Sequence, residues 1–296
     1  MTAITLRSAV ANYPHALPLK DGRVTSSRVR FDFEAVEPVT RAFRRLVRTG
    51  DFDLCEIALT TLAQARYYGK PLTGLPVVLM RGFHHGALVC RTDSPLRGPG
   101  NLAGKRIGVR AYSVTTGVWV RGILHHEYGV DPDSITWVTA EDAHVREYTD
   151  PANAVRIAAG QSLSQMLLHG EIDAGIALAG IDAAAIRTVI PDADAAAAAW
   201  YRKTGAYPVN HVVCVQTSLL ERHSWLAGEL MALFTAAKRA AGAPPAEARW
   251  SAIVGADPLP YGLAENRAGI ELGLRFAGEQ GLVPTAYRAE DLFVTA

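Results

Sequence analysis

The residues best suited to chemistry in this sequence are a lone glutamate, Glu56, the basic turn Arg81-Gly82-Phe83-His84-His85, the hydroxyl-rich turn Tyr112-Ser113-Val114-Thr115-Thr116, and the lone His211. Glu56 stands near the end of the apolar run Leu54-Cys55-Glu56-Ile57, where α/β folds place ligands. Buried among apolar neighbours it would have a raised pKa and serve as a proton donor. In solvent it would only cap a helix. Arg81 can grip a carboxylate with two parallel hydrogen bonds. His84 and His85 can titrate near neutrality, but adjacent residues cannot share a strand face, so at most one of them faces a cleft. Ser113, Thr115 and Thr116 lie between a strand and a helix, where unpaired N–H groups and the positive end of the helix dipole suit a carboxylate or phosphate. A hydroxyl there is equally the ordinary way to cap a helix. His211 reads either as a proton-handling group or as a hydrogen-bonded hinge residue.

Three further segments add candidates. Ser162 with Gln165 fits a capping box and can also offer backbone donors to an anion. Trp200-Tyr201-Arg202-Lys203-Thr204-Gly205-Ala206-Tyr207 places aromatics such as Tyr207 beside cations, as an aromatic ligand would require. Tyr261, in Pro260-Tyr261-Gly262, covers either a cleft or the core. A metal site at His84 and His85 is not indicated, because no spaced acidic or histidine ligands accompany them. The pair His125-His126 is explained by the C-terminal end of its helix. The sequence has no nucleophile elbow, phosphate loop, dinucleotide fingerprint or zinc spacing.

The elements that must position these residues alternate between short apolar strands and amphipathic helices, which defines an α/β class with largely parallel sheets. Strands are expected at 5–9, 32–35, 54–57, 76–79, 86–91, 106–109, 136–138, 174–177 and 211–216. Helices are expected at 39–49, 60–68, 116–128, 164–169, 225–241 and 266–280, with helical filler at 195–199. Residues 86–91 and 210–215 are continuous apolar runs, as in strands buried on both faces. They read as two antiparallel strands crossing between lobes, with residues 1–90 plus 211–296 in one lobe and 91–210 in the other. A ligand would then lie in the interlobe cleft.

The 296 residues suffice for two domains of ordinary size. A net charge of +1 gives no support for a nucleic-acid or membrane partner. Cys55, Cys90 and Cys214 are odd in number and lie in apolar runs, as buried free thiols do. The N-terminus goes straight into a strand-like run with no basic and apolar leader, so a cytoplasmic location is expected. The sequence leaves room for a homo-oligomer.

Taken in order, these segments resemble the 4,5-dihydroxyphthalate decarboxylase family. The pieces that carry the likeness are GKRIGV with TTGVWVRGILHHEYGV, Glu56, RGFHH, YRKTGAYPVNHVV, LLERHSWLA and PYGLAENR. The family departs from this chain at the first turn, where Asn12-Tyr13-Pro14-His15-Ala16 replaces an Asp-Arg-Thr type, and at Cys55, where a serine is expected. That first turn is a substrate-contact region, which brings His15 among the candidates.

The resemblance implies a two-lobed fold like the type 2 periplasmic binding proteins, and loss of CO2 from a hydroxylated aromatic acid without a cofactor. It assigns a small aromatic or organic carboxylate as partner. Glu56, His84 or His211 would handle protons, and Ser113, Thr115, Thr116 and Arg81 would hold the carboxylate that stays, since a strong grip on the departing one would stabilise the ground state. Two other readings are a solute-binding protein for a small organic anion, and an enzyme of this fold with another reaction, such as one in menaquinone or thiamine-precursor synthesis.

Overall fold

The structure, a computed structural model, describes residues 3–284 and 287–294, so the first two residues of the strand-like N-terminal run lie outside it. The chain begins with β1 (Ile4–Ala9), α1 (Leu17–Lys20), β2 (Val29–Phe33), α2 (Thr40–Thr49), β3 (Leu54–Ala58), α3 (Leu59–Tyr67) and β4 (Leu72–Arg81). It continues through β5 (Leu88–Arg91), β6 (Arg106–Val109), α4 (Thr115–Tyr128), β7 (Thr136–Thr139), β8 (Ala154–Arg156), α5 (Leu163–His169), β9 (Ala174–Ile176), β10 (Ile186–Thr188) and α6 (Ala193–Thr204). After β11 (Val209–Gln216) come α7 (Thr217–Arg222), α8 (Leu226–Arg239), α9 (Ser251–Val254), α10 (Leu263–Glu279) and α11 (Ala289–Leu292).

The strands form two sheets, a five-stranded one ordered β2-β1-β3-β11-β4 and a six-stranded one ordered β10-β5-β9-β6-β7-β8. Each sheet is the floor of one lobe. β3 is buried at every residue because β1 and β11 flank it and helices cover both its faces. Among the described residues, no helix is long and apolar enough to cross a membrane.

The antiparallel pair at the junction is β4 with β11, running from Val209 opposite Arg81 to Gln216 opposite Leu72, with register shifts between Val209 and Val213. The expected partner of β11, the run at 86–91, instead becomes β5 and pairs with β9 and β10 in the second sheet. The chain therefore crosses through the short link after Arg81 and returns through α6, which contains the alanine tract. β2 begins three residues earlier than expected, where Val29, Phe31 and Phe33 alternate with Arg30 and Asp32. β8 and β10 were not expected, because three-residue strands at the sheet edges bury little and show no apolar run. The three cysteines are free and buried.

α10 ties the lobes together, packing on α3 of the first and α4 of the second. Glycines permit this close approach. A Cβ built on Gly122 would lie 2.1 Å from the Phe276 ring, and one on Gly273 would lie 2.8 Å from the Trp119 ring. Phe276 is 1% exposed and stacked on His126 at 5.1 Å, so it cannot swing aside. Gly122→Ala gains roughly 1 kcal/mol in helix propensity but incurs an overpacking cost of about 1–3 kcal/mol. We expect the clash to win, with a net loss of up to about 2 kcal/mol in urea unfolding.

Candidate active site

β3 and β11 set the centre of the site. They run antiparallel with His211 opposite Ala58 and Val213 opposite Glu56. Glu56 and His211 are thus diagonal neighbours on one face, within reach of long side chains. His211 Nδ1 lies 2.6 Å from Glu56 Oε1 across 155 residues of sequence. The same oxygen accepts from the Tyr13 hydroxyl at 2.7 Å, and Oε2 accepts from the Ala11 N–H at 2.9 Å. Burial by itself would raise the Glu56 carboxyl, but His211, the Ala11 N–H and Tyr13 outweigh it and hold the pKa below the usual value. Glu56 is therefore a carboxylate and not the proton donor that burial among apolar neighbours would have made it. As an acceptor it obliges His211 to carry its proton on Nδ1, which turns Nε2 outward. Tyr13 stays a phenol, pushed up by burial and then by the charge of Glu56.

His211 borders a cavity of about 60 Å3 between the lobes, to which Thr40, Phe43, Ala58 and Thr61 contribute from one side. Arg110, the 111–116 turn and His144 contribute from the other, with Asn210 beside His211. Small-molecule sites usually enclose about 300–1,000 Å3, so the cavity as it stands is smaller than such a site. The first turns of α2, α3 and α4 all reach the cavity. Val39, Ala58 and Val114 precede these helices, and none supplies a side-chain cap. Each helix start carries about half a positive charge, so three of them converging favour an anion.

Phe43 holds two imidazoles edge to face, His211 at 5.0 Å and His144 at 5.7 Å. His144 Nδ1 bonds Thr61 Oγ1 at 2.9 Å, and burial followed by the charge of Arg110 and Arg44 pushes its pKa down to about 3. It is a neutral hydrogen-bonding group.

Of the expected site residues, the structure brings Ser113, Thr115, Thr116 and His211 to the cavity, with Glu56 directly behind. Thr115 also joins the lobes, its hydroxyl 2.8 Å from that of Thr60. His84 does not reach the cavity. Burial lowers its pKa to about 4, and its Nε2 bonds Asn210 Oδ1 at 2.8 Å, while Asn210 Nδ2 donates to Thr116 Oγ1 at 3.1 Å. Its place is behind Asn210.

Arg81, expected to hold a carboxylate, is spent elsewhere. It donates to Asn266 Oδ1 and the Tyr207 carbonyl and lies 4.1 Å over the Tyr207 ring, locking β4 to α10. Tyr207 packs on Phe83, and Tyr261 sits beside Lys238, both away from the cavity. His15 stacks on Tyr13 at 5.2 Å and faces a separate groove with Lys238 and Pro258. Ser162 is exposed and forms no capping box, because its side chain makes no cap bond.

Tyr13, Thr61, Arg110, His144 and Asn210 were not among the expected site residues. Glu56 was conspicuous as a polar residue at a strand end, and the same attention to the segment after β7 would have singled out His144.

A two-lobed α/β protein with an anion-attracting cleft at the strand ends is a member of the type 2 periplasmic-binding-protein fold. Solved structures agree. The periplasmic aliphatic sulphonate binding protein SsuA from Escherichia coli matches with a TM-score of 0.61 at 14% identity, over 100% of this chain and 92% of that one. The desulfurization enzyme DSZB matches with a TM-score of 0.54 at 17% identity, over 98% and 96%. Residues 32–158 match the family described as NMT1/THI5 like.

The chain belongs to the 4,5-dihydroxyphthalate decarboxylase family. It is 30% identical to the 4,5-dihydroxyphthalate decarboxylase of Comamonas testosteroni over 99% of this chain and 97% of that protein. It is 33% identical to that of Pseudomonas putida over 60% of this chain and 71% of that protein.

Proposed function

We propose that the protein is a non-oxidative decarboxylase acting on a hydroxylated aromatic acid of the 4,5-dihydroxyphthalate kind. The observation that carries this reading is the Glu56–His211 dyad, whose histidine lines a cavity ringed by helix N-termini. Family membership supports the same reading. The retained carboxylate lies against the first turns of α3 and α4, where N–H groups and the hydroxyls of Ser113 and Thr116 meet it. Thr61, neutral His144 and Asn210 hydrogen-bond the ring hydroxyls.

Protonated on both nitrogens, His211 then gives its Nε2 proton to the ring carbon that bears the departing carboxylate, with Glu56 stabilising the imidazolium through Nδ1. The bond from that carbon to the carboxylate breaks, its electron pair restores the aromatic ring, and CO2 leaves. A solvent proton returns to His211. The departing carboxylate is left without a strong partner, so that binding does not stabilise the ground state. The lobes divide within 82–87 and 189–208, a few residues from positions 90 and 211, since β5 and β11 belong whole to different sheets.

Incubation with 4,5-dihydroxyphthalate, related hydroxybenzoates and plain phthalate, following CO2, tests the reading. We expect release from the dihydroxylated diacid and none from phthalate, whose ring lacks the hydroxyls that stabilise the protonated intermediate. Tight binding across the panel with no CO2 would make the protein a receptor for organic anions instead.

A further inference from the structure

Arg121, in the TTGVWVRGIL piece of α4, takes no part in the chemistry above. It is 0% exposed. Its Nε donates to Gln280 Oε1 at 2.6 Å and its Nη2 to the Tyr112 carbonyl at 2.6 Å. The guanidinium lies 3.9 Å over the Tyr112 ring and 5.1 Å from that of Trp137. Nη1 is buried with no partner. No carboxylate among the described residues forms an ion pair with Arg121; Asp150 acts on it only through space and lies 3.7 Å from Arg156. Burial pulls its pKa down, yet an arginine remains protonated in a protein.

The position of this charge is costly in two ways. An unpaired buried cation loses its hydration. Side chains on a helix also lean toward its N-terminus, and Arg121 reaches back so far that a Cβ on Gly117 would lie 3.2 Å from Nη1. The charge thus sits at the positive pole of α4, where a cation is disfavoured. An anion on the other side of the turn would offset both costs. Ala111, Ser113, Val114, Thr115 and Thr116 line the cavity, while the Tyr112 carbonyl between them faces Arg121.

We infer that Arg121 is a positioning residue for the anion site, a fixed buried charge behind the 111–116 turn that shapes the turn and strengthens its hold on the retained carboxylate. This rests on the reading of the cleft as a carboxylate site. The cavity then draws on a full positive charge that never enters it and cannot reach the departing carboxylate to clamp it.

The test is equilibrium binding of two probes to the full chain, phthalate as the dianion and catechol as a neutral ring of similar size. Arg121→Met removes the charge and keeps an unbranched side chain. We expect phthalate to bind about tenfold or more weakly, catechol to change less than about twofold, and Arg121→Lys to restore most of the phthalate affinity. Equal losses for both probes, or no loss for either, would overturn the inference in favour of a purely structural arginine. If Arg121→Met does not fold, Arg121→Lys carries the test: a charge role keeps phthalate affinity within about threefold, and a geometric role loses it. Wild-type protein that binds no phthalate also overturns the inference. Arg121-dependent binding without CO2 release from 4,5-dihydroxyphthalate would instead remove the decarboxylase reading and leave this one standing.

Discussion

Replacing His211 by asparagine is expected to lower CO2 release by about 10³-fold while substrate affinity stays within a few-fold, because a positioned proton donor contributes about 10²–10⁴ to a rate. The geometry argues for this residue over the other histidines. His84 and His144 are buried, bonded to Asn210 and Thr61, and held neutral at about 4 and about 3. His211 alone pairs a carboxylate on one nitrogen and turns the other toward the cleft. Glu56→Gln is expected to cost about 10²-fold or more. Its amide nitrogen would confront a ring of donors, the Ala11 N–H, the Tyr13 hydroxyl and His211 Nδ1. The double variant should be little worse than His211→Asn, since the two residues act as a unit. Single-turnover CO2 release with calorimetric binding measures all three. A His211→Asn protein retaining a tenth of wild-type turnover would sink the assignment.

Acid should destabilise the fold well before its carboxylates titrate. Burial pushes His15, His84 and His85 down to about 4, and His144 to about 3, from an ordinary 6.5. With the folded value lowered, the unfolded chain takes up protons first. The stability contributed by these neutral imidazoles is fully present above 6.5 and lost as the pH falls toward the folded values. Each group contributes up to about 1.4 kcal/mol per pH unit within that window. The urea midpoint should therefore drop steeply between about pH 7 and pH 5, where ordinary carboxylates, at about 4, are still ionised. Substituting His85 by phenylalanine should flatten the slope by about a quarter, one proton in four. His85 lies edge-on to Trp200 at 5.6 Å, so a phenyl ring can keep the packing. Equal midpoints at both pH values would show that these histidines are not held neutral.

How much of this was legible in the sequence varies by element. β3 and α4 are strongly patterned, and the turn at 113–116 was recognisable as a helix start from its hydroxyls and the helix after it. β8 and β10 were silent because edge strands of three residues bury too little to leave an apolar signature. Arg81 was misread for a different reason. An arginine after a strand looks the same in sequence whether it meets a ligand or a carbonyl, and here Asn266, far along the chain, takes it.

The sequence by itself determined the α/β class, the strand and helix that frame the 111–116 turn, and the burial of the strand carrying Glu56, because these depend on local periodicity and composition. Only the tertiary structure decided that Glu56 is ionised, that His211 is its partner and that His84 is not. It also decided that Arg121 stands without an ion-pair partner behind the 111–116 turn. The reason is physical. The charge on a buried group depends on what donates to it, and those donors arrive from strands and turns 43 to 155 residues away, through pairings that no local pattern encodes.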